Sequence, residues 1–509
     1  MNGNQIDYQP ASCTSQDLRT IDFERRAERR NLDRRLITGV GWSAFSKWGT
    51  QIISWASLLV MAKLLSPSDF GLLGMTTLYL GLIGLLSECG IDSTIITMSE
   101  LPVKVIRQLH TTSVLLGITG SIVALLAAAP ISTFFRAPDL RRVISVLGVG
   151  LVMSGFRQVP QSLLLRDLRF RTVSLIEASQ ILLQASSGIL LAWFGMGYWS
   201  LVFSVLISSA WGTLWALFLR RCGFARPQPI RLRKELTFSW QILVTRLSWY
   251  FYSNSDFLVA GRFLGQDALG VYTIAWNIAS VPVEKISNVV ARVTPSIYAQ
   301  VQMQSAELRR YIRVLTEGLS MMTFPVGIGL ALVAKPLIMT VFDQRWWSSA
   351  NALRLLALLG VARSISVLLA PALIALKDAK FTMHWTLVVS AVLPVSFVFA
   401  SRWGSTGIAA AWLCLSPILT LALFWRLSVK TGMQLLEYLG ALKPAGLASI
   451  AMVVAVLLSV SFMRSVSLAI FKLLVEVLVG SLAYLGFLFA FYRHRLNFFL
   501  CHVRTAFHP

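Results

Sequence analysis

Among the basic side chains that fall inside long apolar stretches of this 509-residue chain, four stand out: Lys47, Arg157, Arg246 and Arg363. A charge near the centre of a bilayer costs about 3 kcal/mol or more unless it faces water or a partner. Fixed Lys and Arg side chains in such a place can hold an anion. They replace its water and counterions, and Arg adds a fork that grips a phosphate or carboxylate at two points. Lys47 and Arg246 carry the clearest pattern, because they stand 199 residues apart. The same offset lays "MAKLLSPSDFGLLGM" (61–75) on "AGRFLGQDALGVYTI" (260–274), Lys63 on Arg262 and Gly71 on Gly270. Each of the two cations lies 12 residues past the last basic residue before its stretch, Arg35 and Lys234. That is roughly 18 Å of helix in a hydrocarbon layer about 30 Å thick. The competing reading is that these long side chains snorkel back to the interface.

Acids in such stretches include Glu88, Asp92, Glu177, Asp256 and Glu284. Internal ion pairing or helix-end solvation accounts for an acid in such a place. Coupling to a proton or a cation is the functional alternative, and Asp256 and Glu88 are its candidates, since an intramembrane acid is expensive without use. Catalytic chemistry finds no support. Of the five histidines only His384 lies in or beside an apolar stretch, and no Ser or Cys with a base at helical spacing accompanies it; the five cysteines are scattered singly, and no GxxxxGK[ST] phosphate loop occurs. Neither a cofactor nor a metal is expected.

The elements that must position these residues follow from composition. The chain is 56% hydrophobic and 14% charged, with mean hydropathy +0.67, against roughly 25% charged in a soluble domain. This is an all-α, polytopic membrane protein, with fourteen apolar stretches between about residues 38 and 492. The eighth, 268–298, contains Pro282, Glu284, Lys285, Arg292 and Pro295, and so must face a cavity or other helices. The net charge of +23 is read as loop cations that fix topology and touch lipid heads, not as a nucleic-acid surface. Basic residues cluster on alternate loops (Arg166, Arg169, Arg171; Arg220, Arg221, Arg226; Arg309, Arg310, Arg313), which puts both termini in the cytoplasm and the turns at 66–68 and 265–267 outside.

A second repeat pair, "LRDLRF" (165–170) and "LKDAKF" (376–381), recurs at an offset of 211 residues. Six stretches separate equivalent points, so the copies share orientation and the repeat is parallel, about an axis along the membrane normal. The expected organisation is a polar cytoplasmic tail (1–37), a lobe of six helices (38–220), a basic linker (221–236), a second six-helix lobe (237–428), two extra helices (429–493) and a cytoplasmic tail (494–509).

With "AKLLSPSDFGLLGM" after the first span and "LLLRDLRFRTVS" after the fourth, the chain resembles the polysaccharide transporter family. These are the O-antigen and exopolysaccharide flippases of the multidrug/oligosaccharidyl-lipid/polysaccharide exporter superfamily. The resemblance implies two lobes forming a V that opens alternately to either side. It implies that undecaprenyl-diphosphate-linked oligosaccharide moves from the cytoplasmic to the periplasmic leaflet of a bacterial inner membrane, for exopolysaccharide, capsule or O-antigen. It further implies contact with membrane lipids, and a polysaccharide polymerase and chain-length regulator as partners. The cations would then meet the diphosphate. Trp48, Trp55, Trp240, Trp249, Tyr250 and Tyr252 would stack on sugars, or would form an interface belt. Two relatives of the same superfamily stay open as alternatives, a multidrug cation antiporter and a flippase for the peptidoglycan lipid precursor. A non-transporting membrane scaffold is a third, which leaves the paired cations unexplained.

Overall fold

The computed structural model describes residues 48–98, 101–228, 233–463, 468–493 and 495. Lys47 and the tail over 1–37 lie outside that set. Every regular element among the described residues is helical. The first lobe contains α1 (48–64), α2 (Pro67–Glu88), α3 (Ile91–Thr97), α4 (Val103–Phe135), α5 (Asp139–Leu147), α6 (Val149–Arg166), α7 (Phe170–Trp193) and α8 (Tyr198–Leu219). The second contains α9 (Arg233–Val259), α10 (Gly265–Val301), α11 (Ser305–Val341), α12 (Ser349–Ser366), α13 (Leu369–Ala375), α14 (Ala379–Ala400) and α15 (Gly404–Thr431). Two further helices follow, α16 (Leu435–Phe462) and α17 (Ala469–Phe491).

Ten helical stretches among the described residues are long and apolar enough to cross a membrane, against the fourteen expected. One of them, Lys380–Thr431, takes in both α14 and α15. Among the helices absent from the ten are α9 and α10, which carry Arg246, Asp256, Glu284 and Lys285. Outward faces are the reverse of a soluble protein's. Leu126 is 74% exposed, Phe218 76% and Leu436 81%, a surface only lipid would cover. The chain is therefore a multi-pass membrane protein.

Within the first lobe α7 packs on α8, and α6 on α4 and α8; within the second α12 packs on α10, α11 and α15. Helices α16 and α17 pack on each other and against α11. Several spans are broken. Cys89 (φ 46°) and Gly90 (φ 67°) separate α2 from α3, and the 367–368 break separates α12 from α13. Two adjacent left-handed residues end α2 and restart the chain as α3 in a new direction.

The lobes meet most extensively where α2 crosses α10, and two glycines of the repeated motif make that crossing possible. A Cβ on Gly71 would collide with the backbone carbonyl of Gln266, and one on Gly270 with that of Pro67. The repeated glycines thus serve the contact between the lobes. At the same end, Arg262 donates to the Phe134 carbonyl (2.5 Å) and Trp346 Nε1 to the Ala62 carbonyl (2.8 Å), so each lobe's first span ends against the other lobe. The two turns differ. Ser66 and Asp69 form a capping box at the start of α2, whereas residues Ala260–Leu264 make a π-helical turn and Gly265 takes φ 85°.

The second repeat forms elbows at the opposite end. Leu168 (φ 57°) and Lys377 (φ 60°) turn the chain before α7 and α14. The backbone elbows are 209 residues apart although the letters match at 211, so Asp167 precedes its turn and Asp378 follows it. Both acids still reach the last helix of their own lobe: Asp167 lies 3.4 Å from Arg220, and Asp378 2.7 Å from Arg426. The hydrogen bond from Arg426 holds the Asp378 carboxyl below the ordinary carboxylate range. The linker lies over the same end of the first lobe, where Gln108 Nε2 donates to the Arg226 carbonyl (3.0 Å) and Thr111 accepts from the Ala225 N–H.

Candidate functional site

A cavity of about 1040 Å3 lies between the lobes, walled by α1, α2, α9, α10 and α12. The polar face that the sequence reserved for a cavity on the eighth span is here: Asn277, Ser280, Glu284, Ser287 and Asn288 of α10 line it. Opposite stand Trp249, Tyr250, Ser253 and Asn254 of α9, with Gly74, Leu78 and Gly81 of α2. Tyr250 ties the two lobes by donating to the Leu78 carbonyl (2.5 Å). The lining thus combines aromatic faces with amide and hydroxyl groups.

Arg363 is the predicted cation that lines this cavity. It sits in the last turn of α12, just before the break, and lies 4.0 Å from Glu284. Its guanidinium stands 5.1 Å from the ring centre of Trp412 and 5.6 Å from that of Trp276, a stacked setting that partly replaces water around a cation. Beneath it Asp256 is fully buried. Tyr272 O–H (2.7 Å) and Trp412 Nε1–H (2.9 Å) donate to its Oδ2, and the Phe257 N–H (2.9 Å) to its Oδ1. Arg363 and Asp256 therefore share Trp412, one over its ring and one at its N–H.

Arg246 belongs to a second cluster, one turn along α9 from Tyr250 toward the elbow end. Its fork closes on Asp92 of α3, Nη1 to Oδ1 at 3.2 Å and Nη2 to Oδ2 at 2.8 Å, and Nη2 also reaches Ser93 Oγ at 2.8 Å. Glu88 Oε2 lies 4.0 Å away. Arg157 of α6 lies near this group, with Glu88 and Glu177 as its nearby acids. Gln158 fixes the end of α2 by donating to the Glu88 carbonyl (2.8 Å). This ion pair joins the lobes, and it is only partly enclosed: the side chains of Arg246 and Asp92 are 32% and 31% exposed.

Of the six residues singled out in the sequence, Arg363 and Asp256 are thus brought together at the cavity, and Arg246, Arg157 and Glu88 at the bridge. Lys47 lies outside the described residues. Asp92 was visible as an intramembrane acid but not as Arg246's partner, because 154 residues separate them and α3 is displaced by the break at 89–90. Trp412 gave no signal at all; a tryptophan within an apolar stretch looks like core.

Comparison with known proteins agrees with this architecture. Residues 60–351 match the family model described as "Polysaccharide biosynthesis protein". The chain is 26% identical to the lipopolysaccharide biosynthesis protein WzxC of Escherichia coli (strain K12), over 77% of this chain and 80% of that one. It is 22% identical to the succinoglycan biosynthesis transport protein ExoT of Rhizobium meliloti (strain 1021), over 75% and 78%. Among solved structures, the lipid II flippase MurJ in an inward closed conformation superposes with TM-score 0.72, covering 89% of this chain and 99% of that one at 14% identity.

Proposed function

Since the chain belongs to the polysaccharide biosynthesis protein family, we propose that it is a flippase for lipid-linked oligosaccharide repeat units. It moves undecaprenyl-diphosphate-linked sugars from the cytoplasmic to the periplasmic leaflet of a bacterial inner membrane. The observation that carries this reading is the lining of the cavity between the lobes. Trp249, Tyr250 and Trp276 offer faces on which sugar rings stack, and Asn254, Asn277 and Asn288 offer both donors and acceptors to hydroxyls. A cavity for a cationic drug calls for a free acid, whereas Glu284 here has Arg363 beside it. The likeness to the lipid II flippase supports the fold and leaves the cargo to the family.

In this reading the lobes 38–220 and 237–428, joined by the linker 221–236, rock about the cavity, and 429–493 stands beside the second lobe. Both termini are cytoplasmic and the α2–α10 crossing closes the periplasmic side. Arg363, Arg246, Arg157 and Lys47 are the residues that meet the anionic part of the cargo. Asp256 and Glu88 are the acids through which an ion gradient drives the cycle. A polymerase and a chain-length regulator receive the product.

The test is a strain lacking the chain. Lipid-linked oligosaccharide should accumulate in the inner leaflet and clear when the wild-type chain returns. Arg363→Gln, at matched protein level, should restore export at roughly a tenth of the wild-type rate, the loss of about one charge-assisted contact at 1.4 kcal/mol per factor of ten. Clearance of the oligosaccharide without the chain would overturn the reading.

A further inference from the structure

Granting the flippase reading, we propose that the Arg246–Asp92 bridge is a gate opened by the cargo's own phosphates, with Asp92 occupying in the empty protein the place that diphosphate oxygens take on loading. Position is the first argument. Along α9 the cavity spans Trp249 to Phe257; the Gly71–Gly270 crossing closes its turn end and the bridge spans its other end, α9 to α3. A ligand entering from the elbow side meets the bridge first.

Geometry is the second. A guanidinium fork holding two oxygens of one planar anion, at 3.2 and 2.8 Å, is the arrangement that also grips a phosphate. Ser93 Oγ at 2.8 Å supplies a hydroxyl that can turn to a new anion. Accessibility is the third. Arg246 and Asp92 are each about a third exposed, in contrast to Asp256, which is sealed. An incoming anion therefore finds the fork through water and exchanges with the carboxylate without desolvating a bare cation.

The exchange has a mechanical result. Once Arg246 turns to phosphate, Asp92 faces the cargo's negative charge with its partner gone, and like charges so placed repel. Asp92 rides on α3, seven residues hung from α2 by two left-handed residues. Helix α3 is therefore the element that yields, swinging from α9 while α9 stays packed on α2 and α14. Asp92 is a positioning residue here: it holds the site shut and presets the Arg246 fork.

The experiment uses the full-length protein in lipid nanodiscs, its five native cysteines replaced by serine, with spin labels at exposed Ile96 on α3 and Val244 on α9. Undecaprenyl diphosphate should lengthen the label distance, and undecaprenol, which lacks the anion, should not. Asp92→Asn should show the long distance unliganded and bind the diphosphate about tenfold more tightly, because no closed state competes, while export falls. Asp92→Glu should restore the short distance. The exchanged pair Asp92→Arg, Arg246→Asp should do the same, which checks that the variants fold. Weaker diphosphate binding by Asp92→Asn, or a label distance that stays at the wild-type value, would leave the bridge a static brace and sink the proposal. Failure of the flippase reading shows elsewhere, as oligosaccharide that clears without the chain.

Discussion

Asp256 has both oxygens committed, Oδ1 to its neighbour's N–H and Oδ2 to Tyr272 and Trp412. Trp412 Nε1–H and the Phe257 N–H can only donate, so an amide nitrogen at either carboxylate position faces a donor and is a mismatch. Asp256→Asn should therefore lower the stability of the detergent-solubilised protein by about 1–3 kcal/mol, read as a lower thermal midpoint. If Asp256 carries the coupling ion, the same variant should bind lipid-linked oligosaccharide yet export it independently of the ion gradient. Export that remains complete and gradient-dependent would reduce Asp256 to a packing acid. Much at this scale was legible, since an acid or a cation in an apolar stretch announces itself. Its partner does not. Asp256 meets a tryptophan 156 residues away, and Arg246 an acid 154 residues away. Composition cannot rank such pairings; only the packing of the helices selects them.

Helices were read correctly where their polarity was periodic or unusual, and less well where the backbone departs from a straight rod. Residues 268–298 were expected to face a cavity, and α10 lines one. The breaks at 89–90 and 367–368 passed unseen because apolar residues run through them. Gly90 was the one local hint at the first. The role of Gly71 was not legible either, because a glycine needed for a turn and one needed for a neighbouring backbone look alike in sequence. Gly71→Ala should prop the α2–α10 crossing apart, since the atom its Cβ would strike is a backbone carbonyl that cannot rotate away. The expected result is a protein biased toward opening at the turn end. It would be measured as faster modification of a cysteine placed at Thr77 in the cavity wall by an impermeant maleimide added outside the cell. A rate equal to that of the same cysteine beside Gly71 would mean the crossing does not gate that end.

For the whole molecule, the parallel duplication was available from two motif pairs at offsets of 199 and 211. The docking of α16 and α17 against α11 was not, because neither helix carries a copy of any motif. Together with α1 and α10 those three helices enclose a second cavity of about 660 Å3, almost wholly apolar apart from Glu476. The sidedness argued from loop cations has a direct check. Cysteines at Ser66 and Gly265 should react with an impermeant maleimide added to intact cells whose outer membrane is permeabilised. Labelling of both only after the inner membrane is broken would invert the topology.

The crossing at Gly71 also bears on how such a chain arose. Gly71 stands against Gln266 while Gly270 stands against Pro67, and each residue of one contact lies 199 positions from its counterpart in the other. Residue i against j and j against i is the isologous signature of a two-fold dimer, written here within a single polypeptide. The arrangement fits descent from two identical six-helix chains that met across an axis normal to the membrane and were later fused. Fusion would have freed Pro67 and Gln266 to diverge, because their partners touch only main-chain oxygen. The two glycines have no such freedom, since a Cβ on either would strike that main-chain oxygen.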